Sequence, residues 1–506
     1  MAVTGATATG ARTHGRTAVA ARAFFLCVCC VCASVRLSIA QCPDGTPAPC
    51  RAVVVAVRTP DSNSIAVLPL ENRARDTSLT LLAEGLADQV TTDLEQVPRV
   101  AMAPPASVRY VLDHTPREPA RLGRALNVRW LVDGQMLPGR GSVRLTVQLI
   151  DASAERVRWS GSFQRPTDDL FAVISAVAES VATAVVGALE PAEQARLRRR
   201  PTMSNAALLA HTRGVAALHH FDESDLRLAV SAFEEAIAAD SAFAPAWSGL
   251  AEAWFWSDPW SPPRQVYPRG RAAAERALAL DPTSSTALAA LAGFTYCYDW
   301  DLPRAEALAR SAIQRDSSNG RAWLYLGEAL VAQRRVDEAA VAYERAITVD
   351  TLDEAVAVEA SGGLGMAHRT DEALAVARRW RVREPGADIW DLTESLILLR
   401  AHRCRAEPPA MPISPVGLAC AGRREAARAL TDSLAAGAER GQWTQEFLVL
   451  AYVALGDRDA ALHWLARAID ARVYFVVFLA VDPIWDDWRG DPRFTAQLDR
   501  IRPDAR

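Results

Sequence analysis

Lysine is absent from this chain of 506 residues, so all 56 of its basic side chains are arginine. That absence excludes several chemistries at once. A P-loop needs a lysine on the β/γ-phosphates, a protein kinase needs one on a strand, and a pyridoxal enzyme needs one for its Schiff base. Other catalytic signatures are missing too. There is no His-Glu-x-x-His and no Gly-x-Ser-x-Gly, the Cys29-Cys30-x-Cys32 cluster sits in an apolar run with no histidine near it, and the eight histidines are scattered. The one histidine pair, His219-His220, points two ways from a helix and makes a poor metal clamp. The formal charge is −4, and no basic stripe of the kind that releases counterions from nucleic acid is present. The composition therefore predicts no catalytic residues, no cofactor, no metal and no nucleic-acid partner.

What is present begins with an N-terminal segment of secretory type. A polar stretch with Arg12, Arg16 and Arg22 leads into the apolar run Ala23–Val35, which has signal-core length and is short for a span of about 20 residues. Ser38-Ile39-Ala40 places small residues ahead of a cleavage point before Gln41. Residues 1–40 are thus read as a signal peptide or an anchor. Lipidation at Cys42 is the remaining alternative, and Gln41 suits it poorly. Export to the periplasm or cell envelope is expected, with membrane contact only through an uncleaved anchor or a lipid. Cys42 and Cys50, in a lead-in over 41–61, either close a small disulfide loop or stay free. Cys297, Cys404 and Cys420 read as small core residues.

From about 62 to 190 the pattern becomes mixed. Ser64–Pro69 reads as a buried strand, Leu81–Val97 as a helix, Val100–Met102 as a second strand stopped by Pro104-Pro105, and Glu118–Leu126 as a short helix. Arg129–Asp133, Ser142–Asp151 and Glu155–Phe163 follow as strands, with clear alternation at Val143, Leu145, Val147 and Leu149. Asp168-Asp169 then offers an N-cap to a long helix. The predicted order is βαβαβββα, an α+β domain with a mixed sheet. Arg196–Pro201, inside a stretch at 191–205, reads as a solvated linker.

Ile65–Asn72, Leu82–Asp88, Val128–Gly134 and Val143–Ala152 together resemble the TolB N-terminal-like domain. The resemblance covers about 120 residues with its segments in order. It implies a regulatory or envelope setting, in chains that begin with a cyclase, a kinase or a CadC-like winged helix and continue into tetratricopeptide repeats. It implies no catalytic residue. Fewer than 65 residues precede the domain here, so no such output module is expected ahead of it.

Residues 206–470 carry a fixed offset of 34, seen in Ala305, Ala339 and Ala373, and again in Ala312, Ala346 and Trp380. This is the period of tetratricopeptide helix pairs, and it predicts an all-α solenoid. The clearest copy holds Trp323, Gly327, Ala339, Tyr343 and Ala346, and its neighbours hold Trp247, Ala277, Ala305, Ala312 and Ala373. Small residues mark the points where helices approach closely. The period fails over 388–440, where Cys404–Pro415 reads as a loop. Trp256–Pro268 reads as an inserted loop, and Trp254, Trp256, Trp260 and Tyr267 form a possible partner-binding rim because aromatics anchor binding hot spots. Packing of those rings onto their own helix is the competing reading. Ser361–Gly365 reads as a close helix contact rather than a phosphate loop. Asp482, Asp486, Asp487 and Asp491 read as caps and turns, within a capping segment at 471–506. The expectation is a non-enzymatic exported adaptor for a protein or peptide. The alternative is a sensory module of a signalling system whose output lies on another chain.

Overall fold

The computed structural model describes residues 60–73, 80–103, 105–139, 142–166, 169–198, 202–218, 223–258, 260–349, 353–383, 388–409, 412–439 and 445–501. The N-terminal segment, Cys42, Cys50 and His219-His220 lie outside them. Among the described residues, no helix is long and apolar enough to cross a membrane.

The N-terminal part is a mixed sheet with helices on both faces. Strands β1 (Ser64–Val67) and β3 (Ala101–Met102) run parallel, and β1 pairs in parallel with β4 (Trp130–Gly139) on its other side. Antiparallel β5 (Ser142–Asp151) and β6 (Arg156–Pro166) complete the order β3-β1-β4-β5-β6, and the two-residue strand β2 (Glu71–Asn72) pairs with the far half of β4. Strand β4 runs well past its predicted end at Asp133. The ten-residue alternation of β5 imposes this, because Met136 is buried opposite Leu145 in the extended register.

One sheet face carries α1 (Thr80–Glu95) and α4 (Leu170–Val186), which bury the β5 row of Val143, Leu145, Val147 and Leu149. The other face carries α2 (Pro105–His114) and α3 (Pro119–Leu126), packed over Ala66, Leu68 and Leu131. Helix α2 is absent from the sequence reading. Pro105 reads there as a stop, yet proline at a first helical position loses no hydrogen bond and starts this helix. At α4, Asp169 occupies the N-cap position without a side-chain cap bond. The segment read as a linker contains α5 (Pro191–Leu197), closed by a Glu190–Glu193 capping box. Its Leu197 is buried, and its Glu193 pairs with Arg99.

Helix pairs then stack: α6/α7 (Asn205–Ala217, Glu223–Ala239), α8/α9 (Ala244–Phe255, Pro263–Leu280), α10/α11 (Ser285–Phe294, Leu302–Arg315), α12/α13 (Gly320–Ala332, Val336–Val349) and α14/α15 (Glu354–Met366, Thr370–Arg383). They are tetratricopeptide-type pairs, and the period shows in equivalent contacts. The N-caps Asn319 and Asp353 stand 34 residues apart and each accepts from the backbone three residues on. The Trp247 and Trp323 indoles each donate to the carbonyl six residues earlier. Ala277, Ala305, Ala312, Ala339, Ala346 and Ala373 are all buried at the helix crossings. A Cβ at Gly363 or Gly327 would overlap the Tyr343 ring, which explains the glycine-rich run as close helix approach. Gly85 of α1 meets Thr212 of α6 in the same way, so the sheet domain is seated directly on the first pair.

Beyond α16 (Asp388–Arg400) the array continues as α17/α18 (Pro415–Cys420, Arg424–Glu439) and α19/α20 (Gln445–Leu455, Arg458–Ala471). Two sequence expectations need correction here. Cys404 and Cys420 are joined in a disulfide across 16 residues, whereas Cys297 is a free buried thiol. Cys404 sits in a loop whose course no local pattern reports, so the pairing is invisible until that loop folds onto α17. The inserted segment 256–268 is loop only in part, because α9 begins at Pro263 and carries Pro268 inside it. Burial of Val266, Tyr267 and Gly270 holds that first stretch helical despite the proline.

The C-terminal segment does more than cap. Helix α21 (Pro492–Ile501) and the turn Pro483–Trp488 cover α19 and α20 with Trp485, Trp488 and Phe494. The turn Tyr474–Phe478, however, crosses to the middle of the array, where Phe478 joins the core of the central helix pairs. Arg472 donates to the Tyr298 carbonyl, 174 residues away, and its guanidinium lies 4.2 Å from the Trp300 ring centroid. Arg264 likewise reaches the Asp470 carbonyl, 206 residues away. The tail thus folds back onto the central helix pairs, where it finds apolar and polar partners.

Candidate functional site

Closure leaves a cavity of about 190 Å³ on the inner face. The first helices of successive pairs supply most of it, and α9 adds Tyr267. Phe255 ends α8, Tyr296 lies in a π-helical turn after α10, and Tyr325 with Glu328 comes from α12. Glu359 comes from α14, and Arg400 ends α16. Tyr325 and Glu359 stand 34 residues apart, so the repeat itself delivers both to the same wall. The tail contributes Tyr474, Phe478 and Asp482.

Rings make up much of the wall. Phe255 stacks on Tyr267 at 5.7 Å and meets Phe294 and Tyr325 edge-on at 5.3 and 5.2 Å. Tyr296 lies 6.0 Å from Tyr325 and 6.2 Å from Phe478.

Among the described lining residues Arg400 is the only basic side chain. It is bound by Asp482, with Nε to Oδ1 at 3.0 Å and Nη2 to Oδ2 at 2.8 Å. Both partners are buried, at 11% and 7% side-chain exposure. Asp482 also accepts from the Ile484 amide, which caps the turn that follows. Three further carboxyls line the cavity, and no described basic side chain is bound to them: Asp258, Glu328 and Glu359. Burial pushes Asp258 up to about 7, with the Tyr267 hydroxyl donating to it and moderating the rise. Burial also lifts Glu359 to about 7, reinforced by Asp258 and opposed by Arg400. Glu328, only 3% exposed, is driven well above the usual carboxylate range by burial and then by Glu359.

These shifts fix the sign of a pH effect. A carboxyl whose folded value is raised binds its proton more tightly in the native state, so its contribution to stability declines as pH climbs from about 4 to about 7. Asn at position 258 cannot ionise. Melting of Asp258→Asn and the parent between pH 5 and pH 8 is expected to show the variant gaining relative stability as pH rises. A pH-independent difference would remove Asp258 from the buried acids.

Of the four aromatics expected to form a rim, the structure brings two to the cavity. Tyr267 is 1% exposed and faces inward, and Trp256 lines the wall with the Arg321 guanidinium 5.2 Å from its ring. Trp254 packs under the Arg269 guanidinium at 5.1 Å, and Trp260 stands 38% exposed on the surface; neither lines the cavity. The buried acids do not stand out in the sequence. The available signal is an acid inside an otherwise apolar helix, as in Trp323–Val331 around Glu328, combined with the offset that makes Tyr325 and Glu359 equivalent.

The acidic tail residues are structural. Asp486 pairs with Arg489, and Asp491 with Arg493. Among the described residues no group of three or more His, Cys, Asp or Glu is placed to hold a metal.

No family model matches the chain. It is 25% identical over 289 residues to a putative adenylate cyclase 3 of Rhizobium meliloti (strain 1021), a match covering 55% of this chain and 42% of that protein. The chain therefore spans less than half the length of this curated relative. Among solved structures it is similar to a thermophilic TPR protein of Thermus thermophilus, at 16% identity and TM-score 0.32, covering 38% of this chain and 100% of that one. It is also similar to pilF of Pseudomonas aeruginosa, at 20% identity and TM-score 0.27, covering 46% of this chain and 92% of that one.

Proposed function

We propose that this chain is a non-enzymatic adaptor that binds a protein or peptide through its tetratricopeptide-type array. The observation that carries the reading is the array itself, stacked helix pairs whose first helices converge on one aromatic inner surface. Shared inner faces of stacked repeats are extended binding surfaces. The N-terminal sheet domain is assigned to the TolB-like kind, supported by the four sequence segments that carry the resemblance and by its helix-covered mixed sheet. Residence outside the cytoplasm is supported by the signal-type N-terminus and by the Cys404–Cys420 bridge, since disulfides persist in oxidising compartments. The domain division proposed is 62–190 for the TolB-like part, 206–470 for the repeats and 471–506 for the closing segment.

A second reading, a sensory module whose output lies on another polypeptide, is favoured by the likeness to a putative adenylate cyclase. One experiment separates the two. The chain is used as bait on detergent-solubilised envelope fractions, beside a version carrying Trp256→Ala and Trp260→Ala. The adaptor reading expects an enriched partner, reduced by the double substitution. Enrichment of a cyclase or kinase polypeptide favours the sensory reading. No enrichment over an unrelated bait would sink both.

A further inference from the structure

We propose that the inner cavity binds a small organic ammonium ion, a protonated amine or a quaternary ammonium, held by the carboxyls of Glu328, Glu359 and Asp258 against tyrosine and phenylalanine rings. The proposal goes beyond the partner-binding reading and does not depend on it, because an enclosed ligand of this size needs no second polypeptide.

Size is the first argument. At about 190 Å³ the space exceeds the void of roughly 150 Å³ that accepts benzene. Charge is the second. Three acids face the space, and the one basic side chain among the described lining residues is already taken, bidentately, by Asp482. An anion would face three acids with the one lining base already paired, whereas a cation would meet carboxyls to which no described base is bound. Glu328 is the clearest case. It is 3% exposed and faces the Tyr343 hydroxyl, which carries no charge. A buried acid is costly to ionise without a charge partner, and a bound cation would supply the partner that its ionised form lacks.

The walls select the kind of cation. A divalent metal demands a dense shell of oxygens at short range, and among the described residues no such group exists. Rings of Phe255, Tyr267, Tyr296 and Tyr325 instead line the space, and aromatic rings attract alkylammonium groups in a desolvated site. An entrance is available as well. Ile389 and Phe447 line the same space yet are 39% and 37% exposed, so they form its mouth.

Choline and its neutral isostere 3,3-dimethylbutan-1-ol provide the test. Calorimetric titration of the full chain is run at pH 8, above the values of about 7 held by Asp258 and Glu359, while Glu328, raised further by burial, ionises as the bound cation supplies its countercharge. Choline is expected to bind about ten-fold or more tightly than the isostere, because only the cation meets the carboxyls and ring faces. Glu328→Gln and Glu359→Gln are each expected to weaken choline by a similar factor and leave the isostere unchanged. Both replacements keep the side-chain shape and remove a carboxyl that lines the cavity, and melting curves verify that each variant is folded. The proposal is overturned by equal affinity for choline and the isostere, or by choline binding unmoved in both variants. It is equally overturned if neither choline, tetramethylammonium nor n-butylammonium binds at millimolar concentration.

Discussion

Replacing Arg400 by methionine is expected to destabilise the protein by about 3–5 kcal/mol, the cost of leaving one member of a buried ion pair uncompensated. Asp482 is 5% exposed and has Arg400 as its bidentate partner, 82 residues away in sequence. The pair joins the end of α16 to the turn that follows the tail's crossing. Its loss therefore removes a charge partner and also loosens the closure that forms the cavity. Urea unfolding of Arg400→Met measures the effect. The companion Arg400→Met with Asp482→Leu tests its cause, because exchanging both members for apolar groups is often close to neutral. The double variant should recover part of the loss, less the amide cap that Asp482 gives to Ile484. A single variant within about 0.5 kcal/mol of the parent, the range of ordinary surface changes, would show that closure does not depend on this pair.

Breaking the Cys404–Cys420 bridge is expected to cost about 3 kcal/mol. That figure follows from the chain entropy of a loop of this length in the unfolded state. The loop is also pinned by ion pairs, Arg403 to Asp371 and Arg403 to Glu407, with Glu407 held in turn by Arg378. Most of these are partly exposed, so they retain little of what the bridge supplies. Unfolding midpoints with and without reductant should differ for the parent. They should coincide for Cys404→Ser with Cys420→Ser, at the reduced parent's value. A parent insensitive to reductant, although thiol titration shows the bridge open, would mean that the ion pairs alone hold the loop.

Legibility differs between local and distant features. Ala305, Ala339 and Ala373 betray the helix crossings because the repeat imposes the same steric demand at the same offset each time. The β5 alternation is equally readable, since a strand with one buried face must alternate. Helix α2 escapes the sequence pattern because Pro105 reads as a terminator and acts as an initiator. The far end of β4 is hidden because Gly134, Pro138 and Gly139 argue locally against a strand, while pairing with β5 overrides them. At the site, the aromatics around Trp256 are conspicuous in the sequence, but the acids among which Tyr267 and Trp256 lie are not. An isolated glutamate on a helix reads as solvated until its neighbours are known.

By itself the sequence determined the helix pairs, their period, the presence of a strand-rich domain before them and the lack of lysine chemistry. Each of these depends on residues within one or two turns, or on a type being absent altogether. Tertiary structure alone decided that the tail returns inward, that Arg472 meets a carbonyl 174 residues away, and that Asp258, Glu328 and Glu359 share one space. Burial of a carboxyl is a property of everything that converges on it, and six helices, a π-helical turn and a returning tail converge here only once the array has closed.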